Sequence, residues 1–101
     1  MWLMVFFDLP TRTKPQRRRA NRFRIFLKKD GYLMLQLSVY ARVCRGQDAI
    51  DKHVRRVRSS LPQEGSVRTL QVTDKQYGRM ELMLGDAPKT EQAGASQMVL
   101  L

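Results

Sequence analysis

The first ten residues contain an uninterrupted apolar run that ends in an acid. Residues 2–7 read WLMVFF, and Asp8 follows directly, before Leu9 and Pro10. An apolar run this short predicts a strand that is buried on both faces. Because a buried unpaired carboxylate carries a large desolvation penalty, Asp8 is expected to emerge at a sheet edge, bind a cation or begin a turn. The pattern alone leaves these three alternatives open.

The next segment has the period of an amphipathic helix that runs to about Asp30. Thr13 and Gln16 have the spacing of a capping box, Pro15 falls in the first turn, and Gly31 is a stop signal. The apolar positions recur at helical spacing and predict the side of the helix that faces the core: Ala20, Phe23, Phe26 and Leu27.

Residues 32–44, YLMLQLSVYARVC, alternate with the period of a strand. One face is wholly apolar and is predicted to be core: Leu33, Leu35, Leu37, Val39, Ala41 and Val43. The other face is mixed, which predicts a subunit interface or a ligand surface: Met34, Gln36, Ser38, Tyr40 and Arg42. The pattern leaves open whether the segment is one strand or two strands broken near residues 36–38.

A second helix is predicted between Gly46 and Pro62. Its inward positions are Ile50, Val54, Val57 and Leu61, and its outward face is basic. His53 is placed on that outward face, where a solvated side chain without chemistry is expected.

The C-terminal third predicts shorter elements. A strand is expected over residues 66–73, a helical turn after the capping box of Thr73 and Gln76, and a short apolar strand over residues 79–84. These predictions make residues 1–85 one domain. Two further segments follow it: a polar linker over residues 86–97 and an apolar strand over residues 98–101, which is expected to pair with a partner subunit.

The composition of the chain indicates which kind of partner it binds. The chain has 101 residues, which suits one small domain with a core that a second subunit often supplements. Lys and Arg number 19 against 9 acids, giving a net charge of +10, and nine of these cations lie between Arg12 and Lys29 with no acid among them. Such a helix is either a solvated face or a phosphate-binding surface, and the missing acids favour phosphate. The predicted nucleic-acid contacts are Arg17, Arg18, Arg19 and Arg22 on this helix, and Tyr40 and Arg42 on the mixed strand face.

Few catalytic chemistries fit this composition. Cys44 is the sole cysteine and His53 the sole histidine, which excludes a disulfide framework, a Cys/His zinc cluster and a Ser/His triad within one chain. No Gly-rich phosphate loop is present. The N-terminal apolar run is too short for a membrane span or a signal peptide, so a cytoplasmic protein is expected. The remaining candidate is Asp8, either as a turn former or as a Mg²⁺ ligand, with two copies paired across a two-fold axis.

Several motifs resemble those of the Cas2 family, the small adaptation proteins of CRISPR systems, in the form that accompanies type II systems. The motifs are VFFDLPT at 5–11, RxFLKKDG at 24–31, MLQLSVYARV at 34–43, KHVRRVRSSLPQEGSVR at 52–68 and LQVTDKQYGRM at 70–80. The resemblance covers residues 2–85, and the terminal QMVLL is similar to the last strand of that family.

The resemblance implies a ferredoxin-like βαββαβ sandwich of the α+β class with an extra C-terminal strand, in a homodimer. It implies that Asp8 acts in Mg²⁺-dependent cleavage of RNA or double-stranded DNA, and that Tyr40 and Arg22 contribute to activity. It also implies a bridging role between CRISPR integrase subunits during spacer acquisition. Two rival functions stay open at this point: a non-catalytic scaffold in which Asp8 is structural, and an unrelated RNA-binding module of the same fold.

Overall fold

The computed structural model describes residues 1–85, which contain four strands and three helices. Their order is β1 (Trp2–Asp8), α1 (Lys14–Lys29), β2 (Leu33–Gln36), β3 (Val39–Val43), α2 (Gln47–Ser59), β4 (Ser66–Val72) and α3 (Asp74–Gly78). The βαββαβ order confirms the predicted ferredoxin-like α+β fold. The predicted linker over 86–97 and strand over 98–101 lie outside the described residues. No helix in residues 1–85 is long and apolar enough to cross a membrane.

Local signals in the sequence set the ends of α1. The Thr13 hydroxyl accepts a hydrogen bond from the Gln16 amide at 3.2 Å, and the Gln16 side chain accepts one from the Thr13 amide at 3.0 Å. This reciprocal pair is the predicted capping box. Gly31 follows the helix with φ +93°, a conformation that other residues rarely adopt. Both ends of the helix therefore agree with the sequence prediction.

The four strands form one antiparallel sheet in the order β2-β3-β1-β4. Residues directly opposite each other in antiparallel strands point to the same side of the sheet. One side of the sheet carries Leu3, Val5 and Phe7 of β1, with Tyr40 opposite Val5, and these residues form a buried cluster with α1 and α2. The helical members of the cluster are Phe23, Leu27, Ile50 and Val57. The core therefore lies between the helices and this side of the sheet.

The other side of the sheet, which we call the open face, is also apolar. The register places Met4 opposite Ala41 and Leu70, and Trp2 opposite Val43 and Val72. Leu70 and Val43 are about half exposed, at 51% and 53%. At one end of the open face the Tyr77 ring of α3 stacks on the Trp2 ring, with centroids 3.8 Å apart. The open face thus presents hydrophobic side chains that α1 and α2 do not cover.

Two strands, not one, occupy the segment 32–44, since β2 and β3 form a hairpin with a bulge between Met34 and Gln36. The prediction of which face is core is wrong. Leu33, Leu37 and Val43 were expected inside but are 50%, 69% and 53% exposed, whereas Tyr40 is fully buried beneath the helices. The period of a strand assigns residues to two faces, and nothing in that period says which face the helices cover.

Two predictions about α2 are wrong. His53 is buried, at 6% exposed, and not solvated. It lies one helical turn from Ile50 and from Val57, which are both buried, so it belongs to the inward side of α2. Leu61 is half exposed, because α2 ends at Ser59 before that residue is reached.

The short strand predicted over residues 79–84 is also wrong for the described chain. Arg79 caps α3, and residues 80–85 have no regular secondary structure. Met83 and Leu84 are 80% and 54% exposed. An apolar run forms a strand only beside a hydrogen-bonding neighbour, and within residues 1–85 β4 pairs with β1 alone.

Candidate active site and nucleic-acid interface

Asp8 is the last residue of β1, opposite Ser66 at the start of β4. Its side chain is exposed, and within residues 1–85 its carboxylate forms no ion pair and no side-chain hydrogen bond. It opens into a pocket between the start of α1 and the start of β4, which we call the Asp8 pocket. The lining residues are Asp8, Leu9, Pro10, Thr11, Arg12, Gln16, Glu64 and Gly65. The carboxylate is therefore free to bind a cation from solvent.

Gly65 allows the chain to pass close to Asp8. Its φ is +94°, and a Cβ atom at this position would lie 2.5 Å from the Asp8 carbonyl oxygen and 2.8 Å from the Leu9 side chain. Both the backbone conformation and the contact require glycine. Gly65 thus fixes how β4 begins against the end of β1 and so shapes one wall of the Asp8 pocket.

Glu64 is a second carboxylate in this pocket, but its charge is already paired. Arg19 Nη2 lies 2.7 Å from Glu64 Oε1, and Gln16 Nε2 donates to Glu64 Oε2 at 3.3 Å. These contacts join α1 to the loop that precedes β4. Sequence reasoning missed Glu64, because Gln16 and Glu64 are 48 residues apart and no local pattern links them. The Asp8 carboxylate is therefore unpaired within residues 1–85, whereas Arg19 neutralises the charge of the Glu64 carboxylate.

Arg17 holds the loop between Asp8 and α1. Its Nη1 atom donates to the carbonyl oxygens of Thr11 at 3.0 Å and Arg12 at 3.1 Å. The Gln16 side-chain oxygen also accepts from the Arg12 amide at 2.9 Å. The loop that forms the floor of the Asp8 pocket is therefore fixed from the first turns of the helix.

Within residues 1–85 the ligand set for a metal is small. Among residues 1–85, no group of three or more His, Cys, Asp or Glu side chains is placed to hold a metal ion. Asp8 offers one hard oxygen donor of the kind Mg²⁺ prefers, and Mg²⁺ accepts one or two carboxylates with water and phosphate completing its shell. Asp8 alone therefore fits a Mg²⁺ ion whose shell is completed by water and phosphate, and a second unpaired carboxylate from another subunit would strengthen the site, because Glu64 is already paired with Arg19.

The predicted basic contacts on α1 fall into two groups. Arg17 belongs to the Asp8 loop, whereas Arg18, Arg19 and Arg22 line a groove between α1 and the end of α2. We call this the interhelical groove. The remaining residues along it are Pro15, Phe23, Phe26, Ser60, Leu61, Pro62 and Gln63. The structure thus brings three of the four predicted arginines together.

Tyr40 and Arg42 lie away from these arginines. Tyr40 is fully buried, its hydroxyl has no hydrogen-bond partner among the described residues, and burial raises its pKa above the ordinary value. The expectation that its ring lies on a ligand surface is wrong, because the helices cover that side of β3. Arg42 is half-buried, and it donates to the carbonyl oxygen of its neighbour Val43 and to that of Asp30, at the far end of α1. That end is roughly 20 Å along the helix from its first turn.

Comparison with known proteins identifies the family. The sequence model described as "CRISPR associated protein Cas2" matches residues 1–80. The chain belongs to the Cas2 family. A relative from Acidovorax ebreus is 52% identical over 85 residues, spanning 84% of this chain and 83% of its own, and a relative from Flavobacterium psychrophilum is 42% identical over 100 residues, spanning 99% and 87%. Both relatives carry the name "CRISPR-associated endoribonuclease Cas2".

The fold agrees with this assignment. The crystal structure of Streptococcus pyogenes Cas2 superposes with a TM-score of 0.62 and 24% sequence identity, covering 82% of this chain and 99% of that one. At this level of identity the likeness concerns the fold. The Cas2 family and its ferredoxin-like fold, both predicted from the motifs, are therefore confirmed.

Proposed function

We propose that this Cas2 protein is a Mg²⁺-dependent endonuclease that cleaves phosphodiester bonds in RNA, in double-stranded DNA or in both, with Asp8 as its metal ligand. The observation that carries the proposal is the carboxylate of Asp8. It is exposed and unpaired within the described chain, at the end of a buried strand, in a pocket beside arginines. The relatives' printed name, endoribonuclease, supports RNA as the first substrate to test.

A homodimer completes the site in this proposal. The open face is apolar and is not covered by α1 or α2, with Leu33, Val43 and Leu70 each about half exposed. An isologous dimer through this face would bury those side chains. Because such a dimer contains every residue twice, it would also supply a second Asp8. The exposed residues Leu82 and Met83, just after α3, offer further apolar contacts to the second copy.

The two Asp8 carboxylates would hold the Mg²⁺ ion together. A Mg²⁺ ion held there would supply Lewis-acid chemistry, which would activate a phosphodiester toward attack by water. Arg12 lines the same pocket, where its guanidinium can bind a non-bridging phosphate oxygen. Arg17 keeps the backbone of this loop in place through its two carbonyl contacts. Arg12 therefore binds the substrate, and Arg17 maintains the shape of the pocket.

The biological role that we propose is spacer acquisition. In this role the dimer binds duplex DNA through the arginines of α1 and bridges CRISPR integrase subunits. Net charge +10 and the acid-free run from Arg12 to Lys29 support a nucleic-acid partner. Three arginines of that run line one groove, so the charge is concentrated and not scattered.

A non-catalytic scaffold is the second candidate function. It is favoured by the single carboxylate, since no group of three potential ligands exists within residues 1–85. In this alternative Asp8 only ends β1 and starts the turn, and the protein contributes DNA binding alone.

The decisive experiment compares Asp8→Asn with the parent protein on labelled RNA and on duplex DNA, with Mg²⁺ and with a chelator. We expect Asp8→Asn to reduce cleavage at least about a hundredfold, because it removes a metal-bound charge while preserving shape. Asp51→Asn is the matched control, since Asp51 is an exposed acid on α2 that bonds only to Gln47 within the described chain. Equal cleavage by Asp8→Asn and the parent would reject the enzyme and favour the scaffold.

A further inference from the structure

The interhelical groove continues beyond the α1 arginines along α2. A second depression lies beside the first and is lined by Phe26, Lys52, Arg55, Arg56, Ser59 and Ser60. Phe26 and Ser60 belong to both depressions. The two depressions are therefore parts of one continuous channel on the helical side of the molecule, opposite the open face of the sheet.

Both walls of the groove are cationic. Arg18, Arg19 and Arg22 line it from α1, and Lys52, Arg55 and Arg56 line it from α2. Arg19 is paired with Glu64 and Arg56 with Asp30. The cations without an ion pair among the described residues are therefore two on each wall: Arg18, Arg22, Lys52 and Arg55. No Asp or Glu is among the lining residues of either depression. A concave surface with one sign of charge on two walls concentrates counter-ions of the opposite sign. The groove therefore suits a chain of phosphates that is in reach of both helices.

The aromatic ring of Phe26 favours one kind of nucleic acid over another. Its ring is half-buried at the junction of the two depressions, with its packed side against Phe23 at a centroid distance of 6.1 Å. Bases of a single strand stack on such aromatic rings, whereas the bases of a duplex are already stacked on one another. An aromatic floor between two cationic walls thus favours a single strand over a duplex.

The groove leads to the Asp8 pocket. Arg19 lines the groove, and its guanidinium binds Glu64, which lines the Asp8 pocket. Pro15 and Gln63 on the groove side are the chain neighbours of Gln16 and Glu64 on the pocket side. The Arg19–Glu64 ion pair consequently forms the boundary between the two cavities.

We propose that the interhelical groove binds single-stranded nucleic acid and directs it past the Arg19–Glu64 pair toward Asp8. Phosphates contact the cations of both helices, and a base stacks on Phe26. That the bound strand reaches Asp8 rests on the proposed function, whereas the binding of the strand in the interhelical groove does not. Binding is therefore measured in the Asp8→Asn protein, so that a failed nuclease does not obscure the result.

The test is a titration with a labelled single-stranded RNA of about ten nucleotides, a length that one small domain can cover. In the Asp8→Asn background, we expect the Lys52→Glu and Arg55→Glu double variant to weaken binding at least about tenfold. Loss of two phosphate contacts should also make the slope of log affinity against log salt shallower by about 1.4. Neither side chain has a hydrogen bond or ion pair among the described residues, so we expect the double variant to keep its fold.

The matched control reverses two exposed charges outside the groove, Arg45 and Arg58, in the same background. It changes the net charge equally, and we expect it to weaken binding less than about threefold, because neither residue lines either depression. Equal weakening by the two double variants would overturn the proposal, since the effect would then be one of total charge.

Phe26→Leu tests the stacking separately. We expect it to weaken single-stranded RNA binding at least about fivefold, because it removes the aromatic ring on which a base stacks. Duplex RNA of the same length should be affected less. The proposal is overturned if duplex binding falls as much as single-strand binding, or if a poly-glutamate peptide binds the groove more tightly than RNA does. Thermal unfolding of the variant shows whether the core has been kept.

Discussion

The buried side chains of Asp30 and His53 join the end of α1 to the middle of α2. Asp30 Oδ2 lies 2.9 Å from His53 Nδ1, and each side chain is 8% exposed. Because an ionised carboxylate only accepts hydrogen bonds, the Nδ1 atom of His53 carries the proton. Arg56 Nε lies 3.3 Å from the other carboxylate oxygen. The Asp30 backbone carbonyl also accepts from Arg42 of β3. Asp30 thus connects two helices and a strand.

Asp30→Ala should lower the free energy of unfolding by about 2 kcal/mol or more, because it leaves the buried His53 ring without its partner. Urea denaturation measures this change. Asp51→Ala is the control, since Asp51 is exposed on the same helix as His53, and its change should stay within about 0.5 kcal/mol. Equal losses in the two variants would show that the buried pair contributes nothing particular to stability.

Sequence reasoning could predict α1 but not this pair. The caps of α1 depend on residues three positions apart, so Thr13 and Gln16 are visible as a local pattern. Asp30 and His53 are 23 residues apart and meet only after the helices have packed. The helical period alone places His53 on the buried face of α2 with Ile50 and Val57, and it is the polarity of the side chain that wrongly indicates the solvent side.

The same distinction applies to the candidate site. The position of Asp8 could be predicted because the end of an apolar strand is a local feature, and the basic surface of α1 could be predicted because its arginines lie close together in the sequence. Glu64 could not, since its role depends on a long-range contact with Arg19. Tyr40 was misplaced because both faces of β3 carry apolar residues, and only the packing of the helices decides which face is core.

Tyr40→Phe should leave both stability and RNA cleavage close to those of the parent. The hydroxyl is buried without a partner among the described residues, so its removal sacrifices no hydrogen bond within them, and the change in unfolding free energy should be within about 1 kcal/mol. Tyr40→Ala should instead cost about 3–5 kcal/mol, because it opens a cavity beneath Phe7. Denaturation and cleavage assays on both variants measure these effects. Loss of cleavage in a stable Tyr40→Phe protein would contradict the structural role.

The raised pKa of the buried Tyr32 phenol predicts that the folded protein loses stability in alkali. Burial, and then the nearby Asp30 carboxylate, raise the pKa of Tyr32 far above its ordinary value near 10. The folded protein therefore keeps the neutral phenol at a pH where the unfolded chain ionises. The contribution to stability is full below about pH 10 and falls by up to about 1.4 kcal/mol for each pH unit above it. Tyr32→Phe should show a shallower decline, measured by denaturation from pH 9 to 11. Parallel declines in the two proteins would contradict the assignment.

Leu70→Asp should separate the proposed dimer into monomers. Leu70 lies on the open face and is 51% exposed, so a charge there would be buried without a partner if two open faces meet. Ile25→Asp is a matched control, because Ile25 is 50% exposed on α1 and points away from the sheet's open face. Light scattering after size-exclusion chromatography should give a dimer for the parent and Ile25→Asp, and a monomer for Leu70→Asp.

Mg²⁺-dependent cleavage should decrease when the dimer dissociates, because each monomer then has only its own Asp8 carboxylate. A dimeric Leu70→Asp protein would place the subunit contact elsewhere, and a monomer with full activity would mean that Asp8 acts without its symmetry mate.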